Sequence, residues 1–174
     1  MSIEDLIKKC QENNIKAQKE LYEMFAPTLM GICIKYCKDQ ALAEDLFQES
    51  FIKIFNKIHQ FKGEGSFEGW LKRLSINTIL THLKKQIHFL PVSKDFVEDL
   101  TEETYDFEAY SIDFLLDKIQ ELPQQYRLVF NMYVLDDLPH REIADLLNIA
   151  VSTSKSNLTR AKALLRKEIK TKSS

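Results

Sequence analysis

The segment Asp136–Glu168, DDLPHREIADLLNIAVSTSKSNLTRAKALLRKE, reads as two short helices around a tight turn. Ile143, Ala144 and Leu147 lie three or four residues apart and so share one helix face. Asn148 follows, and asparagine is one of the few residues besides glycine that enters a left-handed turn at small cost. A second helix is predicted from about Ser152. It carries an apolar stripe of Leu158, Ala161 and Leu165 beside a polar, basic stripe of Lys155, Thr159, Lys162 and Arg166. One stripe packs, and the other is left to meet something negative. This is the layout of a helix-turn-helix whose second helix enters a DNA major groove. Two plainer roles fit the same residues. Basic groups near a helix C-terminus complement its dipole, and an αα-hairpin with a polar face is common in helical bundles.

Working outward, the 174 residues leave room for one domain or two small ones. With only 4 Gly and 4 Pro among many Leu, Ile, Lys, Glu and Gln, the composition favours helix over sheet. No apolar run approaches the roughly 18 to 20 residues that span a bilayer, and no signal core follows the N-terminus, so a cytoplasmic protein without membrane insertion is expected. Cys10, Cys33 and Cys37 are an odd number set in helical pattern, which argues against a disulfide framework. Cys33 and Cys37 are spaced i, i+4, yet no His or acid stands at a matching spacing. No metal site is expected. The net charge of −2 conceals a segregation: residues 1–91 carry 13 bases and 11 acids, residues 92–122 carry 2 and 10, and residues 123–174 carry 9 and 5. An acidic middle between two mildly basic blocks suggests two modules facing nucleic acid and a connector that does not.

The N-terminal block begins with a capping pattern at Ser2, and Asn13-Asn14 breaks the helix that follows. A second helix from about Lys16 is expected to run to Pro27, where proline suits the first turn of a third helix or a kink. Asp39 caps a longer helix whose face is Ala43, Leu46, Phe47, Phe51, Ile54, Phe55 and Ile58, too apolar for a surface. Gly63 and Gly65 then mark a loop, with Ser66 as cap for a helix from Phe67 to about Gln86. In that helix Trp70 and several leucines alternate with Lys72, Arg73, Asn77, Thr78, Thr81, His82, Lys84 and Lys85. Aromatics and bases around a flexible loop suit single-stranded nucleic acid, because a flat ring stacks on any base. The plainer alternative is a core Trp beside a solvated face. From Ile87 to about Ser111 the periodicity dissolves into an acidic run, read as a flexible linker. Pattern resumes with Phe114, Leu115, Ile119 and Leu122, and Pro123 opens a helix holding Tyr126, Val129, Phe130 and Tyr133.

Four stretches, in order, resemble the bacterial RNA polymerase sigma factors of the extracytoplasmic-function (ECF) group. They are QKELYEMFAPTL (18–29), AEDLFQESFIKIF (43–55), FKGEGSFEGWLKRLSINTILTHLKK (61–85) and LPQQYRLVFNMYVLDDLPHREIADLLNIAVSTSKSNLTRAKALLR (122–166). The resemblance implies an all-α fold of two small helical domains: sigma domain two over 1–90, a flexible acidic linker over 91–111, and sigma domain four over 112–174. It implies a promoter-specificity subunit that is not an enzyme, uses no cofactor, and is a monomer when free. Its partners would be core RNA polymerase and promoter DNA, with an anti-sigma factor as a further candidate. Carried onto this sequence, Asp45, Gln48 and Glu49 fall on the motif that binds the polymerase clamp. Lys62, Gly63, Glu64, Gly65, Ser66 and Asn77 fall on the minus-ten pocket. Lys155, Ser156, Thr159 and Arg160 fall on the minus-thirty-five recognition helix. Asp45 and Glu49 are expected to be exposed and unpaired.

The chain departs from the pattern in places. Asn148 stands where glycine is usual, which a left-handed turn tolerates. Ala150 replaces a capping Ser or Thr, a loss of about 1 kcal/mol, with Ser152 as a substitute. Ser154 takes the place of a packing aliphatic, so a looser seat for the helix is expected. His82 and Lys84 stand where Asp and Arg are common. A different class also fits: a stand-alone helix-turn-helix regulator on a palindromic operator, with the N-terminal helices as a dimerisation or sensing module. A polymerase- or inhibitor-binding adaptor that ignores DNA is a third. No phosphate loop, nucleophile–base pair or zinc-ligand spacing supports an enzyme.

Overall fold

Ser2 opens the first helix as its sequence predicts: its hydroxyl accepts the Asp5 N–H at 3.1 Å. Helix α1 (Ile3–Gln11) buries Leu6, Ile7 and Cys10 and ends at Asn13, which adopts φ 60°. Asn14 caps α2 (Ile15–Tyr36) by accepting the Ala17 N–H at 3.1 Å. The computed structural model describes residues 1–85 and 110–172. The expected linker lies outside these residues apart from Tyr110 and Ser111. The chain divides into two compact units, Met1–Gln86 and Ile87–Ser174.

In unit 1 Pro27 does not open a new helix, the first of the two roles its sequence allows. Helix α2 is one run of 22 residues with Pro27 inside it. Proline removes one hydrogen bond and crowds the preceding turn. Here Pro27 is exposed, so water can reach the deprived carbonyl, while Leu21 before it and Leu29, Ile32, Cys33 and Tyr36 after it all enter one core. Burial on both sides of the proline outweighs the local cost. Helix α3 (Gln40–Lys57) starts at Asp39, which accepts the Leu42 N–H at 2.7 Å, and runs into a short 3₁₀ turn, Ile58–Gln60. Helix α4 (Phe67–Leu83) is capped by Ser66 through the Gly69 N–H at 3.2 Å. Helices α2, α3 and α4 pack on one another, and α1 lies against α2.

The core of this unit is apolar apart from Ser50, Ser75 and Thr78. Ser50 and Thr78 donate within their own helices, to the Leu46 and Leu74 carbonyls at 2.7 and 2.8 Å. Thr78 is therefore a core residue, apart from the polar set with which its sequence groups it. None of the three cysteines is in a disulfide, and all are buried. Burial, then the neighbouring Cys37, pushes the Cys33 thiol up to about 12. Burial, then Glu20, raises Cys10.

In unit 2, Ser111 caps α5 (Ile112–Glu121) through the Phe114 N–H at 3.2 Å. Helix α6 (Gln124–Phe130) stops short of the expected Tyr133 and widens into a π turn, Asn131–Leu135. Helix α7 (His140–Leu147) buries Ile143, Ala144 and Leu147. Asn148 ends it at φ 53°, ψ 49°, the left-handed turn its sequence predicts. Helix α8 (Val151–Lys172) starts one residue before Ser152, so Ser152 lies inside the first turn, not at the cap. Helices α5, α6 and α7 all pack against α8. All regular structure among the described residues is helical, and no described helix is long and apolar enough to cross a membrane.

Candidate nucleic-acid interface

Three surfaces carry the residues singled out by sequence. The first is on α3. Asp45, Gln48 and Glu49 are exposed, and Ile52, one turn on, is 61 % exposed on the same face. Sequence reasoning passed over Ile52. The signal was available: an isoleucine at i+3 and i+7 from exposed polar residues cannot share the buried face. One expectation is corrected here. Glu49 is paired, holding Lys53 Nζ at 2.6 Å. An i, i+4 spacing on an exposed helix favours that pair, which leaves Asp45 as the carboxylate without an ion pair among the described residues.

The second surface is the loop Lys62–Ser66 of unit 1. All five residues are exposed, and Gly63 and Gly65 both sit at φ +79°. A Cβ at either would touch nothing within 4 Å, so glycine is needed for backbone conformation, not for space. Aromatic rings fasten both ends of the loop. Phe61 before it and Phe67 after it lie 5.1 Å apart, and Trp70 lies 5.7 Å from each. Phe25 of α2 joins at 5.7 Å from Phe67. Each such pair adds about 0.5–1.5 kcal/mol beyond area burial. Trp70 is thus a packing residue that holds the loop. Gln11 of α1 ties down the loop's start, its Nε2 donating to the Ile58 and Phe61 carbonyls at 3.0 and 3.2 Å. A cavity of about 410 Å³ opens between α1 and the loop. Asn77 is exposed on α4, ten residues beyond Phe67 and so about 15 Å along the helix axis from the loop. Loop and Asn77 share one unit without touching one spot.

The third surface is α8. Lys155 and Thr159 are exposed, and Lys162 continues their stripe. Ser156 is half-buried and donates to the Ser152 carbonyl at 2.9 Å, while Thr159 donates to the Lys155 carbonyl at 3.1 Å. Arg160 is half-buried and turned towards α6, where its Nη1 donates to the Tyr126 hydroxyl at 3.3 Å. Ser154 does not loosen the helix. It is fully buried and bonded to His140 Nδ1 at 2.9 Å, and Tyr133 of the π turn stacks on His140 with centroids 4.4 Å apart. Burial lowers the His140 pKa, and Lys155 and Lys162 lower it further. The neutral ring serves as a polar peg between the two helices of the motif. Away from this seam, Ile112, Leu116, Val134, Leu135 and Leu165 line an apolar groove of about 510 Å³ rimmed by Lys162 and Arg166. Among the described residues, no cluster of His, Cys, Asp or Glu is placed to hold a metal.

Two family models match the chain, in order. The model described as sigma-70 region 2 covers residues 21–87, and that described as sigma-70 region 4 covers 115–165. Among curated relatives, the ECF RNA polymerase sigma factor SigM of Bacillus subtilis is 27 % identical over 150 residues, 84 % of this chain and 91 % of that protein. The ECF RNA polymerase sigma-E factor of Haemophilus influenzae is 26 % identical over 179 residues, 94 % and 93 % of the two chains. Among solved structures, the sigma factor RpoE from Bartonella quintana, in complex with the anti-sigma factor NepR, matches with a TM-score of 0.58 at 18 % identity. That match covers 90 % of this chain and 98 % of RpoE, a likeness of fold.

Proposed function

This chain belongs to the sigma-70 family, in its ECF group, and we propose that it directs promoter-specific transcription initiation by dividing the work between its two units. Unit 1 binds core RNA polymerase through Asp45, Gln48, Glu49 and Ile52 of α3, and captures the unpaired minus-ten strand at Lys62–Ser66 and Asn77. Unit 2 reads the minus-thirty-five element through Lys155 and Thr159, flanked by Ser156 and Arg160. Its apolar groove meets the polymerase flap. An anti-sigma factor is a further partner of the same faces. The chain needs no catalysis of its own. It acts where core polymerase is, in the cytoplasm, and is a monomer when free.

One observation carries this reading. The glycine loop is flexible in sequence yet clamped at both ends by Phe61, Phe67 and Trp70 and tied by Gln11, on the same chain as a helix-turn-helix with an open basic stripe. Opening a duplex without ATP requires capturing bases as they unstack, each at a cost of a few kcal/mol. A clamped loop with free backbone suits that task, and a helix-turn-helix alone does not need it. The test is to combine the chain with purified core polymerase on promoter DNA and probe unpaired thymines with permanganate. Reactive thymines should appear only when both proteins are present. Tight binding to a palindromic operator by the chain alone, with no opening in either case, would establish the stand-alone regulator instead.

A further inference from the structure

We propose that α1, which lies outside the residues matched by the region 2 model, supplies the specificity-determining side chain of the loop cavity: Glu4 selects an unpaired base bearing an exocyclic amine and rejects thymine. This deepens, and rests on, the reading of Lys62–Ser66 as the base-capturing loop.

The cavity of about 410 Å³ has two walls. Ile3, Glu4 and Ile7 of α1 form one, and Gly63, Gly65 and Ser66 form the other, with phenylalanine rings between them. Its volume and aromatic lining suit one nucleobase. Its charged groups are both acids, Glu4 and Glu68. A phosphate would be repelled there, so the cavity is suited to a base edge and not to the backbone of the strand. The two acids are not equivalent. Glu68 is held by Lys72 Nζ at 2.7 Å. Glu4 has no ion pair or side-chain hydrogen bond among the described residues. The Gln11 bonds to the Ile58 and Phe61 carbonyls fix α1 to the start of the loop, and this anchored helix carries Glu4 on the cavity wall.

A carboxylate accepts hydrogen bonds and donates none. Cytosine and adenine each offer an exocyclic amine at the Watson–Crick edge, and guanine offers an amine beside a ring N–H. Thymine offers a single ring N–H between two carbonyl oxygens, which a carboxylate repels. The geometry therefore separates thymine from the other three bases.

The experiment uses the full chain with core polymerase on promoters pre-melted across the minus-ten element, with each non-template base varied in turn. The wild type should bind thymine on the order of tenfold more weakly than amine-bearing bases at one position. Glu4→Gln, whose amide both donates and accepts, should close that gap to about twofold and leave preferences elsewhere unchanged. The idea is overturned if the wild type discriminates against thymine nowhere, if Glu4→Gln keeps every preference, or if it weakens all templates alike, as loss of a helix-opening acid would. A companion variant replaces residues 62–66 with an alternating Ala/Ser loop. Failure of that variant to open duplex promoter, beside an unchanged Glu4→Gln profile, sinks the role of Glu4 alone. Normal opening by the loop variant sinks the base-capture reading beneath it.

Discussion

The two units bury polar groups in opposite ways. In Met1–Gln86 the buried polar side chains are hydroxyls, and Ser50 and Thr78 bond within their own helices. Among the described residues of Ile87–Ser174 the buried set is Arg127, Asn131, Ser154 and Asn157, of which Ser154 bonds across elements to His140 and Arg127 Nη1 to the Gln120 carbonyl at 3.2 Å. Both cores are mainly apolar, and the second adds directional links between elements to its packing. Their outer faces contrast as well: acids and Ile52 on α3, against an apolar groove in unit 2. A loop that must hold its position while strands separate needs a rigid, dry support. A helix-turn-helix needs a fixed angle between two helices, which a directional hydrogen bond specifies better than interchangeable methyl groups do.

The largest effect should come from charge reversal on α3. Asp45→Lys with Glu49→Lys should cost about 2–5 kcal/mol of polymerase affinity, with helix content unchanged by circular dichroism. That loss should shrink at high salt, whereas Leu116→Asp in the unit 2 groove should weaken polymerase binding with little salt dependence. Identical salt profiles for the two would break the contrast between the faces. Next is Ile79→Ala in the core of unit 1, which should lower stability by about 2–5 kcal/mol in denaturant titrations. Ile79 is fully buried, so the truncation removes buried methyl groups and leaves a cavity. A smaller effect of opposite sign is expected in unit 2. Both polar atoms of Asn157 are buried without a hydrogen-bond partner, so Asn157→Leu should raise stability by about 1–2 kcal/mol. A destabilised Asn157→Leu would show that this asparagine is bonded in solution.

The smallest effect concerns acid. His140 has a lowered pKa in the folded state, from burial first and then Lys155 and Lys162. Between that value and the unfolded value of about 6.5, the unfolded chain binds the extra proton. Stability of unit 2 should therefore hold above about pH 6.5 and decline as pH falls through the folded pKa. His140→Gln, which keeps a hydrogen bond to Ser154 without titrating, should flatten that decline in thermal melts. An unchanged slope would remove His140 as its source.

Much of this was readable from the chain. Ser2, Asp39 and Ser66 cap where their sequences place them, because capping depends on three neighbouring residues. Asn148 turns left-handed for the same local reason. What escaped was set by contacts distant in sequence. Helix α2 runs through Pro27 because residues on both sides meet one core. The π turn exists within a helix whose pattern looks regular, and it brings Tyr133 onto His140. Gln11 reaches carbonyls 47 and 50 residues away, a link no periodicity contains. Of the expected site residues, Asp45, Gln48, the loop and Lys155 lie open as their polarity suggested. Arg160 leans on Tyr126, a contact that a pattern of charges does not encode.

The buried thiols have a practical corollary. All three sit in the first 37 residues, and unit 2 has none. With Cys33 pushed up to about 12 by burial, its thiolate is scarce at neutral pH, and alkylating reagents and peroxide attack that form. Native chains should resist iodoacetamide and mild oxidants. Modification would then clock the breathing of unit 1 alone, an intrinsic stopwatch that needs no engineered label.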